Sequence, residues 1–427
     1  MTKDDSRMRT NTDNYPHSSY NSIGNVLLQT ITAALMASFV IFEQSARGKY
    51  LFLGLIILFF IVYAVYSGLR IPLTVDRYHF YTALFALFCV CSMIWASSPR
   101  LTYNRMTTVV ETVLFMWVLY LYYRDLGTVT GLLNILCSVG IIVASFAIFR
   151  YGFSTIRSII SMGDRAGNSF SNINTIGMMS AISVLIVFFR LLNKKFSLTM
   201  LLAAPCVLMV IASGSRKAFS LILAGIMMLV ILQAVKKSRS PGTALLKVVI
   251  AIVLFAIIAR IVLSLPFMKS LTEPLRRLMN YFTGEGASDE SVRRRMKYIS
   301  LGLHQFLQTP ILGIGIGNSA LLIGRASYLH NNYVELLACG GVVGFLIYYA
   351  PYAYLTRCMI HYRWVEQEEN NTFCFVLLLL ILLMDFGQVS YFSKETYFYL
   401  LILFTHVNTM KRQTSSMGSE ADRLRLK

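Results

Sequence analysis

The sequence is poor in charge, and in acidic residues above all. Only 14% of its 427 residues are charged, and 39 lysines and arginines stand against 20 aspartates and glutamates. Soluble domains carry about 25% charged residues. A chain that is 56% hydrophobic lacks the polar surface that a soluble multidomain protein needs. We therefore predict an all-α polytopic membrane protein.

Patterns typical of metal or disulfide chemistry are also absent. The 7 cysteines form no Cys-x-x-Cys pair, and none stands at metal-ligand spacing from a histidine. We expect no disulfide framework and no metal site, and we interpret the thiols as small apolar fillers. An Asp-x-Asp motif, which often binds the metal of a nucleotide-sugar enzyme, does not occur either.

Long apolar runs are what the sequence has in abundance. A helix of about 18 to 20 apolar residues crosses the hydrocarbon core, and by this length criterion we predict about twelve spans. The runs lie near residues 24–43, 50–69, 80–96, 107–122, 128–149, 175–192, 197–213, 217–235, 245–265, 333–355, 372–391 and 393–409. The last two also fit a single re-entrant hairpin, because only a short break separates them.

The distribution of Lys and Arg among the short loops predicts the orientation. An even number of spans puts both termini on one side, where loops and tails hold roughly twenty basic residues against ten opposite, so the termini are cytoplasmic. Five segments follow: a cytoplasmic tail 1–23, transmembrane helices over 24–265, an external catalytic loop 266–332, transmembrane helices over 333–409 and a cytoplasmic tail 410–427.

The formal net charge of +19 requires an explanation. Positive-inside loops and anionic lipid headgroups account for much of it. Nucleic acid is not an expected partner, because the basic residues are scattered over many loops and form no single stripe. The basic residues of the external loop remain, and they favour an anionic ligand outside the cell.

One polar segment precedes the sixth apolar run. Residues 164–174 read DRAGNSFSNIN, and their Gly, Asn and Ser residues favour turns with exposed backbone donors. Arg165, Asn172 and Asn174 are candidate substrate-binding residues here. An ordinary connecting loop is the alternative.

A second polar turn, residues 213–217, reads SGSRK. It puts Arg216 and Lys217 at the outer start of a helix, where the helix dipole favours an anion. An anionic ligand would relieve the unfavourable placement of two cations there. The alternative is an arginine that only extends to the membrane interface.

An amphipathic helix is predicted over residues 289–310. Apolar residues recur there at helical spacing, namely Val292, Met296, Ile299, Leu303 and Phe306. Arg295 lies beside this stripe, Arg293 at its flank and Arg294 away from it, so Arg295 is the arginine we expect to reach a site. Alternatively, the basic cluster binds lipid headgroups.

The segment 328–335, which reads YLHNNYVE, begins a span with an ionisable ring. His330 is a candidate catalytic base or, alternatively, a capping residue at the interface. Three candidate substrate-binding residues follow it: Asn331, Asn332 and Tyr333. The other external histidine, His304, is expected to be more exposed.

Two further features lie in the later spans. Gly340, Gly341 and Gly344 permit close helix packing. Asp385 lies inside the eleventh apolar run, and an intramembrane carboxylate is a functional candidate by default, usually with a partner. It either binds substrate or pairs with an arginine.

The order of these motifs resembles one family. A Ser-Arg at a helix start is followed by an Arg-headed external helix that runs to Pro-Ile-Leu-Gly-Ile-Gly, then by His-Asn-Asn-Tyr and a Gly-rich helix. This order resembles the O-antigen ligase and O-antigen polymerase superfamily. The resemblance covers residues 210–345 and, more weakly, 160–180.

The resemblance implies a metal-independent, cofactor-free glycosyltransferase with a GT-C-like helical membrane architecture. The donor would be a saccharide on undecaprenyl pyrophosphate, at the outer face of the inner membrane. The acceptor would be a lipid A core sugar in a ligase, or another lipid-linked unit in a polymerase. By resemblance, Arg216 and Arg295 hold the donor pyrophosphate, and His330 activates the acceptor hydroxyl. Attack opposite the pyrophosphate would invert the anomeric centre.

Three functions remain open on the sequence. The run HNNYVELLACGG is more typical of capsular or exopolysaccharide polymerases, which would work with a flippase and a chain-length regulator. A ligase shares the same motifs. A flippase or other transporter would also have many spans, but it should show several polar residues at mid-bilayer, and Asp385 and Arg260 are the candidates found.

Overall fold

The described part of the chain is helical throughout. The computed structural model describes residues 22–42, 45–69, 74–127, 129–162, 166–167, 171–238, 240–264, 290–324, 328–362 and 370–425, and these contain no β-strand. Their α-helices are α1 Ser22–Ile41, α2 Ala46–Tyr66, α3 Arg77–Cys91, α4 Pro99–Leu126, α5 Val129–Tyr151, α6 Phe153–Met162, α7 Ile173–Leu192, α8 Ala204–Ala212, α9 Arg216–Lys236, α10 Pro241–Ser264, α11 Glu290–Gln308, α12 Ser319–Ile323, α13 Asn332–His361, α14 Asn371–Met384 and α15 Lys394–Arg425. Short 3₁₀ turns precede α4 and α8.

Each predicted apolar run contains a helix. Among the described residues, 7 helices are long and apolar enough to cross a membrane: Ile23–Ile41, Arg77–Ile94, Pro99–Leu126, Val129–Tyr151, Ile173–Leu192, Arg216–Lys236 and Asn332–His361. Shorter apolar helices occupy Tyr50–Tyr66, Leu198–Ala212, Pro241–Ile257 and Asn371–Met384. The chain is therefore an integral membrane protein with several spans. The count of twelve and the GT-C-like architecture stay predictions.

Small residues set the closeness of the helix packing. In α9, a Cβ added to Gly225 would lie 2.5 Å from Cδ1 of Leu185 in α7. A Cβ added to Gly344 in α13 would lie 2.6 Å from the ring of Phe88 in α3. Close backbone approach of this kind is how helices associate without a hydrophobic driving force between them. The predicted packing role of the late glycines is confirmed at Gly344.

The loop between α11 and α12 packs into a break within α13. Gly341 has φ 61° and ψ −166°, which are not helical values. Val342 N–H donates to the Pro310 carbonyl at 2.8 Å, and Gly315 N–H donates to the Cys339 carbonyl at 2.9 Å. The Pro-Ile-Leu-Gly-Ile-Gly segment thus satisfies backbone groups that the break leaves without helical partners. The predicted span over 333–355 lies within the helix Asn332–His361, which Gly341 interrupts locally.

The helix α14 ends earlier than its apolar run. The run 372–391 predicts one span, but the helix ends at Met384 and residues 385–393 form turns before α15. Asp385 is the residue that follows the last helical turn. Asp385 caps the C-terminus of α14, and its backbone N–H still donates to the Ile381 carbonyl at 3.1 Å. Its position within the membrane span stays a prediction.

Candidate functional site

Four separate segments meet at one end of the helix bundle. Lys217 of α9 lies against the 385–393 turn, where a Cβ added to Gly387 would be 3.5 Å from Lys217 Cε. The backbone N–H of Asn332 donates to the Asp385 carbonyl at 2.8 Å. The Tyr298 ring of α11 lies parallel to the His330 ring, with centroids 6.2 Å apart. Candidate site residues that lie far apart in the sequence are thus neighbours in the structure.

His330 has a fixed and unusual backbone conformation. Its φ of 60° lies in the left-handed region, which histidine adopts more readily than most side chains. The ring lies between two tyrosines, since the Tyr328 ring also meets it edge-on at 4.6 Å between centroids. Two aromatic neighbours and a constrained backbone hold the imidazole in one orientation.

A buried carboxylate that the sequence did not single out holds this loop in place. Glu335 is 1% exposed. It accepts a hydrogen bond from Ser319 Oγ at 2.6 Å and another from the Leu329 backbone N–H at 2.9 Å. Glu335 therefore ties α12 and the residue before His330 to the first turn of α13. Its position four residues after the Asn331 cap is the only sequence signal that points to it.

Two cations act on the His330 ring. Burial, then the charge of Arg295 and the charge of Lys217, lower the pKa of His330 to about 4. The imidazole is therefore neutral at pH 7 and has a free lone pair. This effect also shows that Arg295, Lys217 and His330, all predicted site residues, lie within electrostatic reach of one another.

The turn before α9 is built to present Arg216 and Lys217. Ser215 caps the helix, since its Oγ accepts the Ala218 N–H at 3.4 Å. Ser213 Oγ accepts the Ser215 N–H at 3.2 Å. Arg216 and Lys217, both half-buried, then occupy the first turn, where free backbone N–H groups add a partial positive charge. This helix start suits an anion, as the sequence indicates.

The asparagine-rich segment lies beside that turn. Ala166 N–H donates to the Ala212 carbonyl at 2.9 Å, which ties the segment to the residue before Ser213. Asn172 caps α7 and accepts the Asn174 N–H at 3.0 Å. Asn172 thus has a structural role whether or not it binds substrate. The third candidate of this segment, Arg165, lies outside the described residues.

Asn332 and Asp385 form a buried hydrogen-bond network. The Asn332 amide donates to Asp385 at 3.2 Å and accepts the Ser390 N–H at 2.9 Å. Asp385 also accepts from Ser390 Oγ at 2.5 Å and from Tyr349 Oη at 2.8 Å. Burial raises the pKa of Asp385 to about 7, although these hydrogen bonds oppose the rise. We interpret both residues as groups that position the site.

Asn331 and Tyr333 also have protein partners. Asn331 caps α13, since its side-chain oxygen accepts the Val334 N–H at 3.1 Å. The Tyr333 hydroxyl donates to the Leu382 carbonyl at 2.7 Å. Both residues therefore join the start of α13 to the end of α14. Substrate binding by either residue stays a prediction.

The face of α11 that packs against the protein coincides only partly with its apolar stripe. Tyr298 and Gly302 are buried, whereas Met296 is 53% and Leu303 is 42% exposed. Met296 and Leu303 of the apolar stripe thus face away from the protein, whereas Ile299 and Phe306 of the same stripe are half-buried. Arg295 is half-buried, as expected for the arginine that reaches the site.

The remaining cations of α11 line a cavity of about 480 Å³. Its lining consists of Arg293, Arg294, Lys297, Tyr298, Leu301, Leu322 and Ile323. Tyr298 lines this cavity and its ring is also stacked near the His330 ring. Arg293 lines this cavity, and substrate binding by Arg293 stays a prediction. His304 is exposed and pairs only with Gln308, at 3.1 Å, in the described structure.

The residues that could hold a metal are few. Within the described ranges, no group of three or more His, Cys, Asp or Glu side chains is placed to bind one. The 7 cysteines are free thiols, and all but Cys91 are buried.

The protein is a polytopic helical membrane protein in which cations and a neutral histidine gather at one end of the bundle. Residues 198–349 match the family model described as O-antigen ligase. This match confirms the resemblance to the O-antigen ligase and O-antigen polymerase superfamily over these residues. No curated protein matches the sequence significantly.

Proposed function

We propose that the protein is a membrane glycosyltransferase that polymerises undecaprenyl-pyrophosphate-linked repeat units into a surface polysaccharide, such as O-antigen, capsule or exopolysaccharide. The reaction would be inverting and metal-independent, on the outer face of the inner membrane. The observation that carries the proposal is a neutral His330 beside Arg295 and Lys217, within the region that matches the family model.

The site residues have two roles: one residue accepts a proton, and the others stabilise negative charge. An acceptor hydroxyl attacks the anomeric carbon of the donor, the bond from that carbon to the pyrophosphate oxygen breaks, and undecaprenyl pyrophosphate leaves with the electron pair. His330 takes the hydroxyl proton as general base. Arg216, Arg295 and Lys217 stabilise the charge that develops on the leaving group. Guanidinium groups suit this role because they bind phosphate bidentately and stay protonated.

The lowered pKa of His330 fits an ordered reaction. A base with a pKa of about 4 is weak, so the empty site is a poor catalyst. A bound pyrophosphate would offset the charges of Arg295 and Lys217, which lower that pKa. The imidazole would then become a stronger base once the donor is in place.

A ligase that transfers the glycan to lipid A core is the second candidate, since the family model is described as O-antigen ligase. A transporter is less well supported. Asp385, the carboxylate that favoured transport, lies beyond the last turn of α14 and beside the site. The partners that a polymerase would need, a flippase and a chain-length regulator, are part of the proposal.

The first experiment separates polymerase from ligase. The gene is deleted, and the length of saccharide on undecaprenyl pyrophosphate is measured. Single repeat units that accumulate mean that polymerisation is lost, whereas long lipid-linked chains that never reach the final acceptor mean that ligation is lost. Unchanged product of both kinds would refute the proposed function.

The deletion strain also tests the base. Complementation with His330→Ala should restore the protein in the membrane and leave product at least 100-fold below wild type, because general-base catalysis contributes roughly 10²–10⁴-fold. The matched control is His304→Ala, which removes the exposed histidine of α11 and should complement fully. Near-normal product from His330→Ala would remove the base assignment.

A further inference from the structure

A second cationic pocket lies at the opposite end of the bundle from His330. It encloses about 360 Å³ between the last turns of α13, the start of α3 and the later part of α15. Its lining consists of Arg77, Tyr354, Arg357, Cys358, His361, Tyr362 and Lys411. The proposed glycosyl transfer uses none of these residues.

The position of the pocket follows from the helices that build it. His330 precedes α13 and His361 ends it, and 30 helical residues rise about 45 Å at 1.5 Å per residue. Lys236 and Lys237, at the end of α9, lie on the same side, because α9 begins at the site. This is the side on which the basic loops predict the cytoplasm.

The described residues that line the pocket gather positive charge and include no carboxylate. Among the described residues, ion pairs join His79 to Asp76 and Arg124 to Asp125, and no lining residue takes part in them. Asp76 precedes Arg77, but its carboxylate is occupied elsewhere. It accepts the Tyr120 hydroxyl at 2.6 Å, the Tyr78 N–H at 2.9 Å and the Asn408 amide at 3.2 Å.

One cation of the pocket is held by a tyrosine, and another lies at an unfavourable position on its helix. Lys411 donates to the Tyr354 hydroxyl at 2.5 Å and lies 5.0 Å from the centre of that ring. Arg77 stands in the first turn of α3, where the helix dipole disfavours a cation. A bound anion would relieve both the dipole and the mutual repulsion of Arg77, Arg357 and Lys411.

We propose that this pocket binds the phosphate of an anionic phospholipid of the cytoplasmic leaflet. Arginines bind phosphate oxygens in bidentate fashion. Basic pockets between transmembrane helices on the cytoplasmic side bind such headgroups. Tyr354 and Tyr362 suit the interface, where tyrosine puts its ring against acyl chains and its hydroxyl toward water. The proposal is independent of the glycosyltransferase assignment.

The test uses the purified full chain in detergent. Thermal unfolding is measured with added phosphatidylglycerol, with phosphatidylcholine and with inorganic phosphate. Phosphatidylglycerol should raise the unfolding temperature in a saturable manner, and the other two should not. Equal stabilisation by inorganic phosphate would show a site for a free anion and overturn the lipid assignment, as would equal stabilisation by phosphatidylcholine.

Two paired variants locate the effect. Arg357→Gln with Lys411→Gln should weaken phosphatidylglycerol binding about 30-fold, at about fivefold per cation near the membrane surface. Lys236→Gln with Lys237→Gln removes the same charge from the same side outside the pocket and should bind as wild type. If the pocket pair does not fold, Arg357→Gln alone, at an exposed position, should weaken binding about fivefold. Equal loss in pocket and control variants would overturn the proposal.

Discussion

At the residue scale, the site depends on a strained histidine. A non-glycine residue in the left-handed region costs on the order of 1–3 kcal/mol and persists only where its surroundings determine it. Around His330 the surroundings are the Asn331 cap, the Glu335 hydrogen bonds and two tyrosine rings. This strain is consistent with a residue that is retained because its backbone conformation orients the imidazole ring, at a cost in local stability.

The pKa of His330 leads to a prediction about pH. The reaction needs the neutral imidazole, so kcat/KM should fall as pH drops through the free-enzyme pKa of about 4. Lys217→Met removes one of the cations that lower this pKa. The fall in kcat/KM should then occur at higher pH than in wild type, whatever the absolute rate. Superimposable normalised pH profiles would contradict the electrostatic link between Lys217 and His330.

Arginine geometry leads to a second prediction. Arg216→Lys keeps the charge but loses bidentate phosphate contact, so we expect product to fall at least tenfold. Arg157→Lys, at an exposed position on the short helix α6, is the matched control and should retain activity. Polymer yield at equal membrane levels of the protein is the measurement. Full activity of Arg216→Lys would reduce Arg216 to a point charge.

At the element scale, the break in α13 organises the end of the bundle that carries His330. The loop after α11 donates and accepts backbone hydrogen bonds where Gly341 interrupts the helix. A Cβ added to Gly313 would lie 2.6 Å from the Cys339 carbonyl oxygen. Only glycine permits such backbone-to-backbone contact. The Gly-Ile-Gly motif is thus a packing device that fixes the loop leading to His330.

This contact can be tested by a matched pair of glycine substitutions. Gly341 and Gly324 have nearly equal φ values of 61° and 66°, but Gly341 has ψ −166°, in a region that is essentially restricted to glycine, whereas Gly324 has ψ 22°. A Cβ at Gly341 would also overlap Ile311, whereas a Cβ at Gly324 would have no such atom within 4 Å. Gly324→Ala should cost only about 1 kcal/mol of left-handed strain. Gly341→Ala should add the overlap and lower the unfolding temperature much further, together with activity. Equal unfolding temperatures would show that the loop does not depend on this contact.

At the scale of the whole molecule, the two ends of the bundle carry different cationic sites. One end has a fixed imidazole and a helix start suited to pyrophosphate, and the other has the pocket around Arg357 and Lys411. We propose that both sites bind phosphate and that His330 at the first end acts as a base. Orientation in the membrane therefore decides which end meets the lipid-linked donor.

The orientation is tested with single cysteines in a background without native cysteines. His304→Cys should react with a membrane-impermeant maleimide in intact cells. Lys237→Cys should react only after the membrane is permeabilised, because α9 runs from the site to the opposite face. Both residues are exposed, so burial does not explain a difference. Labelling of Lys237→Cys from outside would invert the predicted topology.

The sequence by itself determined the membrane class, the positions of the apolar helices and the resemblance to the family. Hydropathy and motif order can be read directly from the sequence, without knowledge of the contacts between distant segments. It also pointed to Arg216, Arg295 and His330 as candidates, because cations and an imidazole stand out in loops that border apolar runs.

Only the tertiary structure decided which residues meet. Three features depend on contacts between separate segments of the chain. They are the hydrogen bonds of Glu335 with Ser319 and Leu329, the break at Gly341 and the end of α14 before Asp385. The same holds for the face that α11 turns to the protein, since an apolar stripe can face lipid as well as a core. Side-chain packing and backbone hydrogen bonds across the fold set these features, and no local pattern encodes them.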